Sequence, residues 1–116
     1  FKSQKTKRKN GIVLKLKQIR HYKGAVYMVM ELKNKSHINF ELDYLNIYKV
    51  STNKKRKASY QKNQLDVVYK HNYPKTVLKK TLRRFVYVLP KFSLGDYEKL
   101  QLELMELNGS RRIVLN

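Results

Sequence analysis

Along most of the chain apolar residues recur at every second position, the spacing of strands with one buried face. Ile12, Leu14 and Leu16 alternate with Lys15 and Lys17. After a turn at His21-Tyr22-Lys23-Gly24, Val26, Met28, Met30 and Leu32 point one way, and Tyr27, Val29 and Glu31 the other. Asn34-Lys35-Ser36-His37 interrupts this run. Phe40, Leu42 and Tyr44 then alternate with Glu41 and Asp43, after which the apolar phase flips to Leu45 and Ile47. A flip inside one long strand predicts a bulge, or a strand that bends from one sheet into the other.

Residues 51–59 are polar and basic and read as a loop. Leu65, Val67 and Tyr69 mark a short strand over 64–70, stopped near Asn72 to Pro74. Phe85, Tyr87 and Leu89 alternate with Val86 and Val88, so that strand reads as buried on both faces until Pro90 ends it. Leu100, Leu102 and Leu104 alternate with Gln101 and Glu103, and Asn108-Gly109 signals a hairpin before Ile113 to Leu115. Ser93 to Lys99 is the one stretch compatible with a short helix. About seven mostly antiparallel strands with evenly spaced turns predict an all-β fold, an immunoglobulin-like β-sandwich. A five-stranded oligonucleotide-binding barrel has too few strands.

Composition changes this picture in one respect. The 116 residues suffice for one domain, and they carry 27 Lys and Arg against 8 Asp and Glu, a net charge of +19. Such an excess favours phosphates, anionic lipid or acidic protein as neighbours and is silent on fold. The bias is lopsided: residues 1–58 hold sixteen of the bases and three of the acids. Residues 1–10 contain five bases, no acid and one apolar residue, which predicts a flexible basic tail or linker before a sandwich over 11–116. The chain opens at Phe1 rather than Met, as expected of a processed product or an excised domain. No run approaches the roughly 18 apolar residues of a membrane helix.

Catalysis finds little support. There is no cysteine, which removes disulfides and thiolate chemistry. His21, His37 and His71 fall at turns or strand ends, and none stands at a metal-ligand spacing from another ligand. Glu103 and Glu106, three apart on a strand, point to opposite faces, while Glu41 and Asp43 read as ion-pair partners. Four scattered glycines make no phosphate-cradling loop. The expectation is a protein that is not an enzyme and holds no cofactor and no metal.

Binding has more to work with. Besides Lys5 to Lys9, the basic clusters are Lys54, Lys55, Arg56 and Lys57; Lys79 and Lys80; Arg83 and Arg84; Arg111 and Arg112. These ten residues from Lys54 onward form the candidate basic interaction surface. Tyr22, Tyr60 and Tyr73 lie in or near turns and are candidates for exposed contacts; Tyr27, Tyr44, Tyr69 and Tyr87 occupy strand positions suited to packing. Leu65, Val67 and Tyr69 are expected on an edge strand guarded by Lys62 and Lys70, and such an edge can pair with a partner's strand. Asn34 and Ser36 are expected to hydrogen-bond local backbone and fix their turn, and Asp43 to pair with a base or cap a loop.

Four segments in order also resemble a known family, the conjugative transposon protein TraN family of Bacteroidetes. They are Glu31 to Asp43 (ELKNKSHINFELD), Asn53 to Gln61 (NKKRKASYQ), Leu65 to Asn72 (LDVVYKHN), and Val86 to Leu94 continued by Glu106 to Arg111 (VYVLPKFSL, ELNGSR). Val68, Gly95 and Ser110 depart from the family's pattern, where Pro, Pro and Gly are usual. The resemblance implies the C-terminal β-sandwich of a structural component of a type IV secretion-like channel. It further implies a periplasmic place at the outer membrane and docking to other channel subunits in a ring, a small outer-membrane lipoprotein among them. The rival expectation, drawn from the charge, is a basic nucleic-acid-binding accessory protein acting on DNA during transfer.

Overall fold

The alternation of apolar and polar residues builds two sheets whose apolar faces meet. The computed structural model describes residues 4–52 and 60–116. These residues form ten strands: β1 (Lys5–Lys9), β2 (Ile12–Tyr22), β3 (Ala25–Asn34), β4 (Phe40–Thr52), β5 (Tyr60–Gln64), β6 (Tyr69–His71), β7 (Thr76–Val77), β8 (Thr81–Pro90), β9 (Glu98–Glu106) and β10 (Arg112–Leu115). One sheet runs β1-β2-β3-β8-β6, the other β10-β9-β4-β5, with β7 paired to the start of β4. All pairs are antiparallel. Leaving β1 aside, β2-β3-β8-β6 facing β10-β9-β4-β5 is the immunoglobulin-like strand order with one extra strand beside β4.

Between the sheets, Met28, Met30, Phe85 and Tyr87 of one face Leu45, Ile47, Leu102 and Leu104 of the other, all essentially without solvent contact. Each such side chain contributes roughly 1.5–3 kcal/mol by leaving water. No disulfide ties the layers, since there is no cysteine. Tyr87 provides a polar tie instead. Its hydroxyl crosses from β8 to donate to the Leu45 carbonyl of β4 at 2.8 Å. Burial raises the phenol's pKa, so it stays a neutral donor. Tyr73 packs edge-on against Phe85 and tilted on Tyr87, each at 5.8 Å. Tyr87→Phe is expected to cost about 1–2 kcal/mol in denaturant unfolding, because it leaves the Leu45 carbonyl buried without this donor; no measurable loss would deny the bond its role.

The phase flip in β4 is a bulge. Its register with β9 shifts between Leu42 and Tyr44, leaving Asp43 as the extra, exposed residue. Asp43 is therefore neither an ion-pair partner nor a cap among the described residues; it is where the strand changes face. A second shift, between Leu16 and Gln18 in β2, moves the buried set from Leu16 to Ile19.

Other expectations are corrected. The strands number ten rather than about seven, because the short β1, β6 and β7 carry too few apolar residues to show a period. Lys5–Lys9 is not a free tail: it pairs with β2 along its whole length. Asn10 and Gly11, with φ of 52° and 80°, make the two-residue turn that joins them. Gly11 also lies against the 34–36 turn, where a Cβ would stand 2.8 Å from that of Ser36. The strand over 64–70 is broken. Leu65 and Val67 belong to a crossing from one sheet to the other, bonded through Leu65 N–H to Ile47 O and Val68 N–H to Val88 O. Both side chains rest half-buried on the core, and only Tyr69 lies in the edge strand β6. Ser93 to Lys99 is a turn entering β9, held by Gly95 N–H on a Glu98 carboxylate oxygen at 2.7 Å, not a helix. Val86 and Val88 are half-buried on the outer face of β8 rather than in a second core.

Candidate functional site

The predicted basic residues do not form one surface. Lys54, Lys55, Arg56 and Lys57 lie outside the described residues. Lys79 and Arg83 are exposed. Lys80, in a left-handed conformation, donates its ammonium to the Lys35 carbonyl at 2.9 Å. Arg84 and Arg112 spend their charge on glutamates, and Arg111 is buried.

Each sheet carries one buried glutamate at the centre of its outer face. On β3, Glu31 receives both Arg84, from β8, and Lys17, from the β2 bulge. On β9, Glu103 receives Arg112 of β10 at 2.7 Å and Lys62 of β5 at 3.3 Å. Burial pushes both carboxyls up and is the largest single influence. The bonds and charges of the flanking cations together outweigh it and hold them below the usual carboxylate range. Glu106 is also lowered, first by the hydrogen bonds from Arg111. All three folded-state values lie below the unfolded ones, so the stability they supply is complete above the unfolded value near 4.5 and is lost as pH falls through the folded values. The thermal midpoint is therefore expected to decline below about pH 4.5, and less steeply in a Glu31→Gln/Glu103→Gln double variant. Equal acid sensitivity of the two proteins would contradict this.

Asn34 and Ser36 belong to a larger knot. Asn34, fully buried, donates from Nδ2 to the carbonyls of Ile38 (2.8 Å) and Val77 (3.0 Å). Its Oδ1 accepts from the backbone N–H and the hydroxyl of Ser36. Arg111 reaches in from the β9–β10 turn, donating to Ser36 Oγ at 3.1 Å and Asn39 O at 3.0 Å while forking onto Glu106. Its guanidinium also lies 4.9 Å from the Phe40 ring centroid. This is the opposite of an interaction surface: the charge is consumed in closing one end of the sandwich.

The feature suited to binding lies at the other end, where the sheets part. β9 pairs with β4 over nearly its full length, but β10 covers only Leu102 to Met105 on its other side. Gln101 reaches the Asn116 side chain at 2.8 Å, and Glu98 to Leu100 have no strand partner on that side among the described residues. Beside this open edge is a groove of about 450 Å³ lined by Leu16, Ile19, Phe92, Leu94, Leu100 and Leu115. Lys5, His21 and Lys99, all exposed, give its wall a positive character. Sequence reasoning missed it because its apolar residues come from four separate segments.

Over residues 2–116 the sequence matches the family described as Domain of unknown function (DUF4138). The chain belongs to that family. Neither the curated proteins nor the solved structures yield a match to it. The family's description names no activity, so the chemistry rests on the groove and the surfaces. Among the described residues no three His, Cys, Asp or Glu side chains are grouped to hold a metal ion, and no helix is long and apolar enough to cross a membrane.

Proposed function

We propose that this chain is a non-catalytic docking module of a conjugative transfer apparatus. The observation that carries the docking is the groove beside the open edge of β9. An extended segment of a partner subunit continues the line of β10, antiparallel to β9, and bonds to the free backbone of Glu98 to Leu100. Its alternate apolar side chains drop between Leu16, Phe92, Leu94 and Leu100. Lys5 and Lys99 select acidic residues at the flanks of that segment.

The setting comes from the sequence resemblance to TraN proteins: a type IV secretion-like channel with periplasmic placement at the outer membrane. The partners are then other channel subunits, a small outer-membrane lipoprotein among them. Repetition around a ring turns contacts of modest strength into a stable assembly. Leu94→Glu/Leu100→Glu is expected to lower mating efficiency at least tenfold while the protein accumulates to normal levels. In donor cells the full-length protein should resist protease until the outer membrane is permeabilised. Unchanged mating would remove the groove from the account, and protection until the inner membrane is broken would remove the channel.

A further inference from the structure

The outward face of the β1-β2-β3-β8-β6 sheet carries a second binding surface, and it does not rest on the docking reading. The observed registers arrange its side chains in four cross-strand rows. Arg20, Tyr27, Val88 and Tyr69 share one row; Gln18, Val29, Val86 and His71 share the next. Thr6, Lys15, Glu31 and Arg84 form a third, and Arg8, Val13, Lys33 and Leu82 a fourth. With Lys17 at the bulge, six Lys and Arg stand on this face against one acid, Glu31, which Arg84 and Lys17 already hold. Lys15, Arg8, Lys33 and Arg20 form no ion pair among the described residues and keep their charge for a ligand.

The aromatic residues are separated from the cations in a way that matters. Tyr69, 59% exposed, and His71 stand on the edge strand β6, their rings 6.3 Å apart, with Tyr27 two strands away in the same row as Tyr69. Rows about 6.8 Å apart along the strands, with neighbours about 4.8 Å apart across them, make a flat platform. One side offers rings and the other offers spaced cations. Its central apolar residues, Val13, Val29, Val86 and Val88, are short and half-buried, so they give a membrane no wedge to take up. We infer that this face binds a single-stranded nucleic acid, its phosphates on Arg8, Lys15, Lys33 and Arg20 and its bases stacked on Tyr27 and Tyr69.

Total charge alone gives weak binding anywhere on the molecule at low salt, so the test compares positions at equal charge. Binding of the chain to a fluorescent 20-nucleotide oligothymidine is measured by anisotropy across a salt series. Arg8→Gln/Lys15→Gln/Lys33→Gln is expected to weaken binding at least tenfold at near-physiological salt and to lower the salt slope by about 2. Lys75→Gln/Lys79→Gln/Lys91→Gln removes the same charge outside the face and should shift it less than threefold. Tyr27→Ala/Tyr69→Ala is expected to weaken binding about tenfold or more with an unchanged slope. Equal losses in the two Gln variants would overturn the inference, as would indifference to the tyrosines. So would face-dependent binding to phosphatidylglycerol vesicles without face-dependent binding to the oligonucleotide.

Discussion

Replacing Arg111 by Met is expected to lower stability by about 3–5 kcal/mol, the scale for removing one partner of a buried ion pair. The guanidinium is 9% exposed, and the Glu106 carboxylate it grips is nearly as well covered. Without Arg111 that carboxylate keeps its desolvation and loses its partner, while Ser36 Oγ and Asn39 O each lose a donor. The loss should be partly recovered in Arg111→Met/Glu106→Gln, which removes the stranded charge. Urea unfolding of the single and double variants measures the coupling; strictly additive losses would mean that the pair does not act as a unit. Gly109 belongs to the same device, because a Cβ there would stand 2.3 Å from the Glu106 carboxylate oxygen that Arg111 holds.

Asn34→Asp is expected to be nearly as damaging, about 2–4 kcal/mol, although it changes almost no volume. The side chain has no solvent contact, and its amide nitrogen supplies donors to both Ile38 O and Val77 O. A carboxylate donates nothing and brings a buried charge among carbonyl oxygens. Asn34→Ala loses the same bonds without the charge and should be the milder of the two. A shift in urea midpoint at constant slope is the readout, and an Asp variant as stable as the parent would contradict the arrangement.

The all-β sandwich was legible because its core-facing strands alternate cleanly. In β2, β3, β8 and β9 the buried residues are those the period marks. The bulge at Asp43 was legible for the same reason: one extra residue shifts the phase of every later side chain. β1 was not, because all five of its residues are exposed and four are basic, so composition spoke for a tail. The dipeptide Asn10-Gly11 carried the same hairpin signal as Asn108-Gly109 and was the stronger guide. Charge type misled again at Arg111. A pair of adjacent arginines reads as surface, yet one faces inward to Glu106 and the other outward to Glu103. Long-range hydrogen bonds such as Asn34 to Val77, and a groove assembled from four segments, leave no local period in the sequence.

Site-directed photocrosslinking in mating donor cells tests the central claim most directly. A photoreactive residue is placed at Leu94, in the groove and 44% exposed, and at Asp66, an exposed position in the crossing between the sheets. Docking at the groove predicts a discrete adduct to another transfer-apparatus subunit from Leu94, lost in Leu100→Glu, and none from Asp66. An adduct from Asp66 alone, or none from Leu94 while mating proceeds, would contradict it.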